Sequence, residues 1–110
     1  MHYQSTYAPE TLERAQVDTH EGIRLLEFGA NWCGYCIAAQ PDIEACVERI
    51  EDGEHLKVED GPGRPLGRSF RVRLWPTLIL LENGEEIGRV VRPDRAELQA
   101  LLAPLAAGRQ

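Results

Sequence analysis

Between residues 23 and 59 the chain alternates in a way that few architectures can satisfy. Ile23-Arg24-Leu25-Leu26-Glu27-Phe28-Gly29 is short, largely apolar and closed by glycine, the pattern of a buried strand carrying one anomalous carboxylate. In residues 33–51, Cys36, Ala39, Ile43, Cys46, Val47 and Ile50 recur at helical spacing and form one apolar stripe. Pro41 lies inside that stretch, deprives the Ile37 carbonyl of its helical partner and predicts a kink. His55-Leu56-Lys57-Val58-Glu59 reads as a second short strand. A strand, a helix and a strand joined in this way call for a parallel pair with a right-handed crossover.

The second half adds an antiparallel pair. Asp60-Gly61-Pro62-Gly63 breaks the strand before it, and residues 64–70 predict a short helix behind that break. Residues 77–81 are strongly apolar and too short for a helix. Asn83-Gly84 follows, a strong hairpin signal because both residues tolerate positive φ, so residues 87–91 should pair back. Asp94 and Glu97 resemble a capping box with Asp in place of Ser or Thr, opening a helix whose apolar face is Leu98, Leu101, Leu102 and Leu105. Upstream, residues 10–20 carry a weak helical signal through Leu12, Ala15 and Val17. The first nine residues read either as a frayed end or as a short edge strand. The expectation is a single α/β domain over residues 1–110, with a mixed sheet flanked by helices on both faces.

Charge and cysteine usage narrow the function. A formal charge of −6 over 110 residues argues against general attraction to nucleic acid or anionic lipid. No apolar run approaches the roughly 18 residues that a membrane span needs. The opening MHYQSTYAPETLERAQ has neither a basic region nor an apolar core of the export type, so a cytoplasmic location is expected. Three cysteines, an odd number without an export signal, argue for a reducing compartment where a cysteine pair is catalytic or metal-binding.

Trp32-Cys33-Gly34-Tyr35-Cys36 falls where a strand gives way to the first turn of a helix. Backbone N–H groups there lack partners and the helix dipole presents positive charge, so a thiolate is stabilised and nucleophilic at neutral pH. The two-residue spacing sets Cys36 one turn further in, and Gly34 leaves the approach open. Cys33 is therefore expected as the exposed nucleophile and Cys36 as the buried resolving thiol. Zinc would need a second ligand pair, and Cys46 with His2, His20 and His55 shows no ligand spacing. Attached haem needs His after the second cysteine, and Ile37 stands there. No metal or prosthetic group is expected. Cys46, on the apolar stripe, reads as a small buried hydrophobe.

Residues 25–36, with Pro41 five residues on, resemble the active-site strand and helix of thioredoxins. Trp75-Pro76-Thr77 and the later Asn83-Gly84 resemble that family's cis-proline loop and hairpin. The resemblance implies a thioredoxin fold and a monomeric thiol–disulfide oxidoreductase acting on protein disulfides. It implies no cofactor beyond the dithiol, and a separate reductase to restore it. Pro76 would be cis and lie against the cysteine pair, and the backbone of Trp75 would pair with an extended substrate segment. Glu27 stands where thioredoxins carry a buried aspartate; burial should raise its pKa and let it take the proton of Cys36. Lys57, the only lysine in the chain, stands where the family places that acid's partner. Trp32, Gly34, Tyr35, Trp75, Pro76 and Arg92 would shape the docking surface.

The chain departs from the family at several of these positions. Tyr35 replaces the usual proline, Glu27 is one methylene longer than aspartate, and Trp75 is bulkier than the usual aliphatic residue. Arg92 replaces a glycine that keeps the docking groove flat. Arg71, Arg73 and Arg92 would ring the site with positive charge and favour acidic partner segments. Two other readings stand beside the reductase: a thioredoxin-fold adaptor with little redox turnover, and a more oxidising oxidase or isomerase.

Overall fold

The computed structural model describes residues 1–106. Its elements run α1 (Arg14–Asp18), β1 (Ile23–Gly29), α2 (Gly34–Val47), β2 (Glu54–Glu59), α3 (Pro65–Ser69), β3 (Thr77–Glu82), β4 (Glu85–Val91) and α4 (Arg95–Ala106). The strands form a four-stranded sheet in the order β2-β1-β3-β4. β1 is parallel to β2 and antiparallel to β3, so the sheet is mixed and β1 lies inside it. Among the described residues no helix is long and apolar enough to cross a membrane.

Strand alternation sorts the core into two layers. Leu25 joins Ile43 and Val47 of α2 and Leu98 and Leu102 of α4 on one face of the sheet. Leu26 and Phe28 join Val17 of α1, Leu66 of α3 and Phe70 on the other. Being covered on both faces is why β1 is an almost unbroken apolar run. The same alternation turns Glu27 toward α2, on the face of Leu25.

Several boundaries differ from the sequence reading. α2 ends at Val47 rather than near residue 51, because the chain must reverse before β2. Arg49 N–H donates to Cys46 O at 3.3 Å and Ile50 N–H to Val47 O at 3.0 Å, a tightened last turn that still tucks Ile50 into the core. The weak helical signal over 10–20 condenses to the short α1. β4 begins at Glu85, since pairing runs right up to the Asn83-Gly84 turn, whose φ values of 52° and 81° suit a tight hairpin. The register shifts at Leu80/Leu81, leaving Ile87 as the extra residue of a bulge. Asp94 and Glu97 do form the reciprocal cap: Glu97 N–H donates to Asp94 Oδ1 at 2.8 Å, and Asp94 N–H to Glu97 Oε1 at 3.1 Å. Of the two expectations for the opening residues, the edge strand is nearer. Ala8 bridges Val58 in parallel, its N–H donating to Lys57 O at 3.1 Å and its carbonyl accepting from Glu59 N–H at 2.8 Å.

Candidate active site

Cys33 is the N-cap of α2, in extended backbone at φ −78° and ψ 121°. Its Sγ accepts the N–H of Cys36 at 3.4 Å, so a donor that the helix cannot use internally points at the sulfur. A Cβ added at Gly34 would meet nothing within 4 Å, which leaves that side unobstructed. The cysteines are free thiols. The expectation of an exposed Cys33 needs correction: it is only 8% exposed, against 1% for Cys36. The cover comes from Ala30, Tyr7 and Trp75, which pack with both cysteines in one small cluster. Cys33 is still the more accessible of the two. Burial first, and then the hydrogen bond to Cys33, push the Cys36 thiol up to about 11, while the Ala30 backbone and the Tyr7 hydroxyl pull the other way. Cys36 therefore rests as a protonated thiol.

The residues named for docking gather at this end of the molecule. Trp32 and Tyr35 are 75% and 60% exposed. The Trp75–Pro76 peptide is cis. Trp75 meets Trp32 edge to face with centroids 5.7 Å apart, and its Nε1–H donates to Asp60 Oδ2 at 2.9 Å. Arg92 lies in the left-handed region at φ 48°. Its guanidinium stacks 3.7 Å from the centre of the Tyr35 ring, and its Nε–H donates to the Trp75 carbonyl at 2.9 Å. The Trp75 carbonyl, one of the backbone groups an extended segment would use, is thus already engaged. Arg71 and Arg73 line an open groove of about 370 Å³ beside Trp75, together with Arg64 and Arg68. Arg92 does not share it, so the expected ring of arginines is a groove on one hand and a clasp over Tyr35 on the other.

Glu27 is fully buried, and its surroundings overturn the expected rise in its pKa. Burial alone pushes the carboxyl up. His55, Tyr7 and Lys57 together outweigh burial and hold it below the usual carboxylate value. Oε1 accepts His55 Nε2–H at 2.8 Å; the Gln4 N–H donates to His55 Nδ1 at 3.0 Å, which fixes the ring proton on Nε2. Oε2 accepts the Tyr7 hydroxyl and Gln40 Nε2–H, the latter at 2.9 Å. Lys57 faces Glu27 in register across the sheet, with Nζ 4.0 Å from Oε2. Its hydrogen bonds go instead to Gln40 Oε1 at 2.7 Å and Ser5 O at 3.0 Å, and burial lowers its pKa. No hydrogen bond joins Glu27 to Cys36 among the described contacts; Tyr7 stands between them.

Tyr7, Gln40 and His55 are the members that sequence reasoning missed. His55 had a legible signal, since it lies two residues from Lys57 and so shares its face of β2. Gln40 lies one turn after Cys36, on the helix face turned to β1. Tyr7 sits in a stretch with no periodicity. It is held there by Asn31, whose Oδ1 accepts Tyr7 N–H at 2.8 Å and whose Nδ2–H donates to Tyr7 O at 3.0 Å.

Gly29 is the seat of the cluster. A Cβ there would lie 2.6 Å from Cys36 Sγ and 2.8 Å from Tyr7 Oη. Both neighbours are buried and tethered, so Gly29→Ala should cost about 1–3 kcal/mol of stability, the range for overpacking a filled core. Gly34→Ala, with open space around it, is the control. Urea midpoints for the two variants check this; a Gly29→Ala protein as stable as the Gly34→Ala one would show that the seat can yield.

Cys46 is buried in the layer between α2 and α4, and burial chiefly pushes its thiol up. Among the described residues no group of three or more His, Cys, Asp or Glu could hold a metal ion.

The profile of the thioredoxin family, described as Thioredoxin, matches residues 7–104. Thioredoxin H2-1 of Oryza sativa subsp. japonica is 35% identical over 81 residues, covering 74% of this chain and 59% of the rice protein. Thioredoxin of Echinococcus granulosus is 33% identical over 84 residues, covering 74% of this chain and 78% of its own length. Among solved structures, thioredoxin 2 from Pseudomonas aeruginosa PAO1 in its reduced form is similar with a TM-score of 0.82 and 44% identity, over 96% of this chain and 100% of that one. The chain spans 59% of the rice H2-1 protein and 62% of the Arabidopsis thaliana thioredoxin H2.

Proposed function

Since the chain belongs to the thioredoxin family, we propose that it is a thiol–disulfide oxidoreductase that reduces protein disulfides, working as a monomeric single domain in the cytoplasm. Cys33 attacks a substrate disulfide and forms a mixed disulfide, and Cys36 then attacks the Cys33 sulfur and releases the substrate as a dithiol. The dithiol carries both electrons, so no prosthetic group takes part, and a separate reductase returns the oxidised pair to thiols. The observation that carries this reading is the Cys36 N–H aimed at Cys33 Sγ from the open first turn of α2. Trp32, Tyr35, Trp75, Pro76 and Arg92 form the surface on which the substrate segment lies.

The substrate class proposed is a disulfide flanked by acidic residues. Arg64, Arg68, Arg71 and Arg73 line a groove with Asp60 beside Trp75, which packs with Cys33, in a protein whose net charge is −6; Arg64 is paired with Glu59, and the other arginines give that groove a net positive charge. One observation favours a second reading, the adaptor with little turnover: the Trp75 carbonyl is occupied by Arg92. One experiment separates these. Two disulfide peptides that differ only in acidic or basic flanking residues are reduced by the dithiol protein at low and high salt. The acidic peptide should react about tenfold faster at low salt, with the advantage shrinking as salt screens the arginines. Reduction of neither peptide would favour the adaptor, and equal rates would remove only the preference for acidic flanks.

A further inference from the structure

We propose that Tyr7 relays the proton of Cys36 to Glu27 while Cys36 resolves the mixed disulfide. The inference rests on the reductase reading above and adds a residue to its chemistry. The family-derived expectation sends this proton directly to Glu27, but both carboxylate oxygens are turned to other donors: Oε1 to His55, Oε2 to Tyr7 and Gln40. Of those donors, Tyr7 packs with Cys36 in one small buried cluster. Its hydroxyl donates to Glu27, and its Oη and the Cys36 Sγ converge over the bare backbone of Gly29, leaving the oxygen lone pairs to face the thiol side of the cluster.

The setting suits a relay. Tyr7, Glu27 and Cys36 are all buried. The Asn31 clamp fixes the Tyr7 backbone to the loop before Trp32, and Lys57 Nζ lies 4.3 Å from the centre of the Tyr7 ring. Burial, and then the charge of Glu27, push the Tyr7 hydroxyl well above its usual value, so no free phenolate accumulates and the two protons must move together. His55 and Lys57 keep Glu27 ionised and able to accept.

The Cys36 thiol proton passes to Tyr7 Oη as the Tyr7 proton passes to Glu27 Oε2. The sulfur lone pair of Cys36 forms the bond to Cys33 Sγ, the bond from Cys33 to the substrate sulfur breaks, and that sulfur leaves as a thiolate. Cys33 and Cys36 end oxidised as a disulfide, and the substrate ends reduced. Tyr7 is again a phenol, now able to donate toward the site that the thiol proton left.

Stopped-flow reaction of the intact reduced protein with dithiobis(nitrobenzoate) reads both half-reactions. The first coloured thiolate reports attack by Cys33 and the second reports resolution by Cys36. Tyr7→Phe should leave the first phase unchanged and slow the second about 100-fold, the lower end of the range for losing a proton-transfer group. On the wild-type protein, the second-phase rate across mixtures of H2O and D2O should follow a curved dependence, as two protons in flight require. A second phase within twofold of wild type in a folded Tyr7→Phe protein overturns the relay, and so does a linear dependence in the wild type. The wild-type measurement decides the matter if the variant fails to fold. A wild-type protein that releases neither thiolate would instead overturn the reductase reading, and the relay with it.

Discussion

Cys33→Ser should abolish disulfide reduction, with a rate loss beyond about 10³-fold, as removal of a catalytic nucleophile typically brings. A serine hydroxyl is far less acidic than a thiol, so the amide donor of Cys36 has no anion to stabilise. Cys36→Ser should behave differently. Cys33 still attacks, but nothing resolves the product, and each molecule should halt as a mixed disulfide visible by mass spectrometry. The resting state of Cys36 gives a second readout. Burial, the largest cause of the raised Cys36 thiol, remains in the Cys33→Ser protein, so alkylation of Cys36 there should run slower at neutral pH than for an unperturbed cysteine. Turnover retained in Cys33→Ser would remove that residue from its role, and fast alkylation of Cys36 would contradict its burial.

Glu27→Leu should destabilise the protein by about 3–5 kcal/mol, as losing one member of a buried charged pair does. Lys57 would lose the carboxylate that favours its charged form, leaving a buried ammonium beside Tyr3 and Tyr7 that burial disfavours, and donors on Tyr7, His55 and Gln40 would lose their acceptor. Glu27→Gln preserves shape and should lose less. Acid should separate the two variants from wild type. Glu27 is held below its ordinary value of 4.5 in the folded protein, so it contributes stability above pH 4.5 and loses that contribution as pH falls through its folded value. Wild-type stability should therefore fall in acid with a component that Glu27→Gln lacks. At the alkaline end Cys36 acts in the opposite sense: its stabilising contribution is complete below pH 9 and fades as pH rises toward 11. Urea melts across this pH range check both slopes, and parallel acid profiles for wild type and Glu27→Gln would refute the assignment.

The sheet and its helices were legible because each rests on a local signal. The unbroken apolar run of β1 reflects two covered faces, Asn83-Gly84 supplies its own turn geometry, and the Asp94–Glu97 cap is a four-residue pattern. The cysteine pair was legible for the same reason. The buried network was not. A carboxylate on an apolar strand announces that partners must exist, but not that two of them come from β2 and one from Tyr7. The direction of the Glu27 pKa shift was misread because burial was visible in the sequence and the compensating donors were not. The cover over Cys33 was missed because it comes from Tyr7 and Trp75, far from it along the chain.

The guanidinium held between the Tyr35 ring and the loop carbonyl has a consequence for any arriving polypeptide. That oxygen keeps a second lone pair, so an arriving strand can pair with it only alongside the Arg92 side chain that already caps it. A newcomer bearing a carboxylate can engage the same guanidinium, whereas a basic one meets like charge beside the oxygen it needs. Pairing at the loop carbonyl and preference for acidic company would then be two aspects of one side chain's position.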